Sequence, residues 1–344
     1  MLTARRILIA ALLAMCALPA FAAPRVLHFV HEGSADSPRG RAADFLAQAI
    51  KKRLADQITM QVHHDGSMFG DEAAVRELRF DTGAMDAPEK AGGRTPDRLR
   101  NGLMTAVDIH RVSRLGRELT LFELPYVIPD INAAHRLIDS PLFTELTASL
   151  PRTGLVALTV WDVGMSHFAL QVAPGQPAPN PGPEALRGAR FGESGSPIER
   201  LIVTTLNGQP DVANGNTDAQ QGSWWKLSRS GRLDANSYVL PTAHRYEGYL
   251  VLISEDFWGA LPAHLQDQLR AAISEATAAN RQATRNLEAR AREDFLAAAG
   301  PEHLLSVDAP DAWRAALATI SEHLKRRVGL PLFERVQEFL GATR

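Results

Sequence analysis

The 344-residue chain contains one cysteine, Cys16, which sits in its first apolar run. If that run is removed on export, no thiol remains. The mature chain can then form no disulfide, offer no thiolate nucleophile and build no cysteine-ligated metal site. A second long apolar run is missing as well. Beyond residue 22 nothing approaches the ~20 apolar residues that a spanning helix needs, so the mature chain is expected to be soluble. Basic runs are also lacking: 37 Lys and Arg face 39 Asp and Glu, with no cluster of cations arranged to follow a phosphate backbone. That argues against a nucleic-acid partner.

The N-terminus is where the apolar residues collect. Met1 to Arg6 carries Arg5 and Arg6 and no acid, Ile7 to Ala20 is almost wholly apolar, and Ala20-Phe21-Ala22 has a small-x-small form. That order predicts a secretory signal over residues 1–22 and a periplasmic destination. Loss of Arg5 and Arg6 takes the net charge from −2 to −4.

The mature region alternates between strand and helix patterns. Arg25 to Val30 and Ile58 to Val62 read as strands, and Leu103 to Ile109 as a third. Between them, Ala42, Phe45, Leu46, Ala49, Ile50 and Leu54 recur at helical steps, and Asp71 opens a second helix. This order predicts an α/β fold with a mostly parallel sheet. Gly83 to Arg98, with Pro88, Gly92, Gly93 and Pro96, reads as a surface insertion, and Ala173 to Pro183, with five prolines, as an extended loop. Asn132 to Leu150 is predicted to be one helix, and Leu155 to Trp161 and Tyr249 to Ser254 are predicted to be buried strands. Short strands over Ala189 to Gly192, Asn214 to Gln220 and Tyr238 to Leu240 suggest a second lobe. Pro262 to Ala299 reads as one helix of up to about 57 Å, long enough to link two lobes. Helices over Pro310 to Leu324 and Phe333 to Leu340 follow, and no internal repeat is visible.

Several segments together resemble the extracytoplasmic solute receptors of TRAP transporters, the DctP-type periplasmic substrate-binding proteins. They are Asp65 to Glu72 (DGSMFGDE), Leu99-Arg100-Asn101-Gly102, Phe122 to Ile128 (FELPYVI), Trp161-Asp162-Val163-Gly164, Leu186 to Arg190 (LRGAR), Thr217 to Gln220 (TDAQ), His244-Arg245-Tyr246 and Ser254 to Pro262. Each is weak alone; their order and spacing behind an export signal carry the resemblance. It implies a two-lobed periplasmic binding protein clamp with a long lobe-spanning helix, in which closure on a solute gains contacts from both lobes. The lobes are expected at residues 23–163 with 248–286, and at 164–247 with 287–344. The implied function is capture of a small organic solute, most typically an organic acid, by a monomer that delivers it to membrane subunits. No catalytic residue, cofactor or metal is implied.

This chain departs from the family at two places. Gly192 stands where an arginine usually clamps the substrate carboxylate, and Ser166 replaces a second arginine. Arg190 is the nearest arginine able to offer a bidentate fork, although it can equally stand for the family's rim lysine. Trp161 at an expected strand end, Gln220, Trp224, Asp108 and His31 complete the expected substrate-binding set. His31 follows the first strand, outside the carboxyl end where open α/β sheets bind ligands. Trp224 can equally be core, and His244 and Tyr246 are read as hinge packing.

Other chemistry fits less well. Gly192-Glu193-Ser194-Gly195-Ser196 departs from the nucleophile elbow of an exported α/β hydrolase, because position 196 is serine. His63-His64-Asp65 lacks metal-site spacing, and adjacent strand residues point to opposite faces. A ligand-sensing interaction module without a transport role would share the fold.

Overall fold

The computed structural model describes residues 24–80, 101–192, 194–213, 217–231, 233–307 and 310–341. The expected export signal over 1–22 with Cys16, the insertion expected over Gly83 to Arg98, and Asn214 lie outside them.

Among the described residues, six strands form one sheet in the order β2-β1-β3-β6-β4-β5. They are β1 (Arg25–Val30), β2 (Ile58–His63), β3 (Asn101–Asp108), β4 (Leu155–Gln171), β5 (Ala219–Gly222) and β6 (Ser237–Ser254). The helices in chain order are α1 (Pro38–Leu54), α2 (Asp71–Phe80), α3 (Ile109–Val112), α4 (Ile131–Ile138), α5 (Pro141–Thr147), α6 (Pro197–Thr205), α7 (Trp224–Arg229), α8 (Glu255–Gly259), α9 (Ala263–Ala299), α10 (Pro310–Val328) and α11 (Leu330–Gly341). β1 is parallel to β2 and β3, whereas β6 runs antiparallel to β3 and β4, and β5 antiparallel to β4.

Helix starts follow local chemistry. Ser37 precedes Pro38, and its hydroxyl accepts from Gly40 N; Lys51, Lys52 and Arg53 close the same helix, where cations suit the negative end of the macrodipole. The single helix expected over Asn132 to Leu150 is instead two. Ser140 caps a new start and Pro141 occupies its first turn, because proline cannot continue α4.

The separate strands expected at Leu155 to Trp161, Tyr238 to Leu240 and Tyr249 to Ser254 are pieces of β4 and β6, which run 17 and 18 residues. Both are largely buried, so polar alternation does not mark their length. Their ladder shifts register between Ala157 and Thr159, Asp162 and Gly164, and Ser166 and Phe168. The last shift lets Pro241 to His244 leave the ladder, which suits a residue with no N–H. The strand expected at Ala189 to Gly192 is only two isolated bridges, Arg190 with Gln209 and Phe191 with Ala219. β5 and these bridges belong to the Gln171 end of β4; β1, β2 and β3 belong to the Leu155 end. One continuous ladder therefore serves both lobes.

The long helix is present as expected. At 37 residues it spans about 55 Å. Its first half buries Leu265, Leu269, Ala272, Ile273 and Ala276 in a core shared with α1, Trp161 and Val251. Near its end, Ala291 and Phe295 join a second core with Trp224, Leu227 and Val239. Between these, the buried stripe turns polar at Thr277, Asn280 and Thr284. Asn280 Oδ1 accepts from Asp162 N at 2.6 Å, and Thr284 Oγ1 donates to Asp162 O at 3.1 Å. These side chains satisfy backbone groups at the Asp162–Gly164 shift, where the sheet ladder is interrupted.

Candidate functional site

The midpoint of the two long strands is held by Asp162, which is fully buried. Its Oδ1 accepts from the Tyr246 hydroxyl at 2.7 Å, and its Oδ2 lies 2.6 Å from His135 Nε2. Two residues on, Gly164 has φ +141°, in a region that disfavours side chains. Glu288 of α9 reaches this point and accepts from Trp224 N at 3.2 Å and Trp225 N at 2.7 Å, capping α7. Burial pushes the Glu288 carboxyl up to about 7 against the effect of these hydrogen bonds.

Beside this crossing lies a small cavity of about 100 Å³ between the end of β3, α7 and the middle of β6. Asp108, Glu123, Glu199, Lys226, Arg245 and Glu247 are among the residues that line it. Lys226 Nζ lies 2.8 Å from Glu247 and 3.4 Å from Asp108. Arg245 pairs with Glu199, and with Glu247 at 3.3 Å. Burial alone would raise Glu247, but Lys226 and Arg245 outweigh it and hold the carboxyl at about 2. Burial would likewise lower the Lys226 ammonium, yet Asp108 and Glu247 keep it well above its ordinary value. Asp108 is held below the ordinary carboxylate range: burial opposes this, but Lys226, His110 and Arg39 prevail.

Glu199 also lines a larger cavity of about 410 Å³, together with Phe191, Gly192, Ser194, Gln220 and Gln221. A Cβ on Gly192 would meet only Thr217 Cγ2, at 3.7 Å. Space rather than backbone strain therefore marks this position.

Of the expected site residues, Asp108 and Gln220 line these cavities; the other four do not. Trp161 lies mid-strand, not at a strand end. It is fully buried, stacked on Phe29 at 5.4 Å, with its Nε1 donating to Thr277 Oγ1 at 3.2 Å. The Trp224 ring packs between His167 and Phe295, the core alternative. His31 is fully buried, with Nε2 3.0 Å from His64 Nδ1. Burial, then Arg39 and His64, pull its pKa down to about 3. Arg190 is half exposed, and its Nε donates to Asp218 Oδ2 at 2.9 Å. Isolated bridges at positions 190 and 191 stand where a short strand was expected. His244 stacks on Phe168 at 4.2 Å, and Tyr246 serves Asp162, the packing expected of both.

The charged residues Glu199, Lys226, Arg245 and Glu247 were not foreseen. One signal was available. Ser196-Pro197-Ile198-Glu199 has the form of a capping box, and Ser196 Oγ does accept from Glu199 N at 3.3 Å. The Glu199 carboxylate, however, turns to Arg245 and to the Ser194 hydroxyl. The Gly-x-Ser-like stretch next to it is thus part of a helix start. Among the described residues, no cluster of His, Cys, Asp and Glu could hold a metal ion, and no helix is long and apolar enough to cross a membrane.

The profile of the family "Bacterial extracellular solute-binding protein, family 7" (DctP) matches residues 29–174 and 211–326. The C4-dicarboxylate-binding periplasmic protein DctP of Rhodobacter capsulatus is 22% identical over 324 residues, covering 91% of this chain and 90% of that protein. A TRAP periplasmic solute binding protein from Shewanella oneidensis, solved with bound succinate, superposes with a TM-score of 0.74 at 18% identity, covering 92% of this chain and 99% of the other. A second, from Pseudomonas aeruginosa with bound L-malate, gives 0.70 at 21% identity, over 87% and 100%. The chain belongs to the bacterial extracellular solute-binding proteins of family 7, the DctP-type receptors it resembles in sequence, and it has their two-lobed fold. Residues 175–210 fall between the two matched stretches; Arg190, Gly192 and Glu199 all lie there.

Proposed function

We propose that this protein is a periplasmic receptor that captures a small organic solute between its lobes and delivers it to the membrane subunits of a TRAP transporter. It acts as a monomer and performs no chemistry on the solute. The lobes divide at residues 163/164 and 247/248, giving 23–163 with 248–286 and 164–247 with 287–344. The observation that carries this reading is the cavity beside the crossing of β4 and β6. It takes Asp108 and Glu123 from one side of that division and Glu199, Lys226 and Arg245 from the other. A solute contacting both sides favours the closed arrangement by its differential affinity. The register shift at Asp162–Gly164 supports a hinge there, and α9 crosses the same point. Relatives solved with succinate and L-malate make small organic acids the first solutes to test.

Small-angle scattering with and without a saturating solute tests closure. The expected result is a smaller radius of gyration together with a raised melting temperature, since the solute binds only the folded state. Saturation without compaction would remove lobe closure from the mechanism.

A further inference from the structure

The cleft's own charges point away from a simple carboxylate. The small cavity is lined by the four carboxylates of Asp108, Glu123, Glu199 and Glu247 and by only two permanent cations, Lys226 and Arg245. Both cations are already engaged, Lys226 by Asp108 and Glu247, Arg245 by Glu199 and Glu247. Arg200, the cation lining the larger cavity, lies 3.5 Å from Asp211. Apart from Arg245 Nε, an entering carboxylate would meet a cation here only by displacing one of these internal acids and leaving it buried without its partner, the costly half of breaking a buried pair.

Glu123 is the group left over. It is 3% exposed, and its Oε2 accepts from Ser196 Oγ at 3.0 Å, but its Oε1 accepts no hydrogen bond among the described residues. The Ser113 hydroxyl is close enough to favour the Glu123 carboxylate, but it donates to His110 O at 3.1 Å. A buried acceptor oxygen that accepts no hydrogen bond is costly unless a ligand supplies a donor. Arg245 Nε is also buried and unpartnered, so an oxygen on the same solute has a donor to meet.

We propose that the solute carries a protonated amine, seated against Glu123 and Glu199, beside an oxygen that accepts from Arg245. This rests on the receptor reading above, but it changes the ligand class. Gly192 and Ser166 then mark a cleft whose anion anchors have given way to a cation site. Burial raises the Glu123 pKa, and an ammonium beside it would restore the carboxylate.

The test is equilibrium dialysis of the full mature protein against an equimolar library of dicarboxylates, sugar acids, amino acids, amino sugars and diamines, read by mass spectrometry. Enrichment confined to amine-bearing compounds is the expected result. Enrichment of an amine-free acid would overturn the charge assignment and leave the receptor standing. No enrichment of any compound would overturn both. With the enriched amine as probe, Glu123→Gln should weaken binding by about tenfold or more, the loss of one charge-assisted contact. Unchanged affinity in a folded Glu123→Gln would overturn Glu123 as the anchor.

Discussion

The Glu288 carboxylate occupies the place where a side chain on Gly164 would have to go. A Cβ built there falls 2.6 Å from Glu288 Oε2 and 2.8 Å from Ser223 Cβ, on a backbone with φ +141°. Gly164→Ala should therefore cost about 1–3 kcal/mol from backbone strain alone, and more if Glu288 cannot move. Urea denaturation reads the loss directly. A midpoint equal to wild type would show that the crossing has slack.

Glu288 also gives a dependence on pH. Its carboxyl titrates near 7 in the folded protein, against an ordinary value of 4.5. Between those values the folded state keeps a proton that the unfolded chain has released. Its contribution to stability is thus fully present below about 4.5, falls as pH rises, and is lost above about 7. Glu288→Gln removes this dependence. The variant should gain on wild type by about 2–3 kcal/mol across that window. Paired thermal or denaturant scans at pH 4.5 and 7.5 check it; a constant difference would exclude a raised Glu288.

Arg245 holds the cleft's acids in place. Removing its guanidinium in Arg245→Met leaves Glu199 and Glu247 facing each other with less compensation, as well as Glu123 nearby. Breaking a buried network of this kind costs about 3–5 kcal/mol. Adding Glu199→Gln to the same chain should recover part of the loss. If the double variant is no more stable than the single one, the two residues are not coupled.

Arg190 should behave as a surface residue. Its partner Asp218 is also partly exposed, and such pairs contribute about 0–1 kcal/mol. Arg190→Ala is expected to shift stability by no more than that and to leave solute affinity unchanged in calorimetric titration. A marked loss of affinity would restore it as a ligand clamp.

Helix and strand periodicity made β1, β2, α1 and α9 legible in the sequence, because each buries one regular face or run. β4 and β6 were legible only in pieces. Gly164 and Pro241 break their pattern, yet α9 and the bulges carry both strands through. The cleft was harder to read for a different reason. Trp161 and His31 have the chemistry of ligand residues, but Trp161 Nε1 is bonded to Thr277 and His31 Nε2 to His64 in the interior. Glu199, Lys226 and Glu247 resemble ordinary surface charges in sequence, and they line one cavity only because α6, α7 and β6 converge. The motif Trp161-Asp162-Val163-Gly164 marks the shift in the β4–β6 ladder rather than a cavity wall.

β6 occupies the middle of the sheet but is its last strand in the chain. Until residues 237–254 have been synthesised, the other strands can make only two separate pieces, β2-β1-β3 and β4-β5, each with an open edge. The pairing that joins them is long-range and late, which slows folding. Roughly three quarters of the chain must leave the ribosome before either half can be finished. Such a delay leaves the facing edges of β3 and β4 unpaired through most of synthesis, and an unpaired edge is a template for the wrong neighbour.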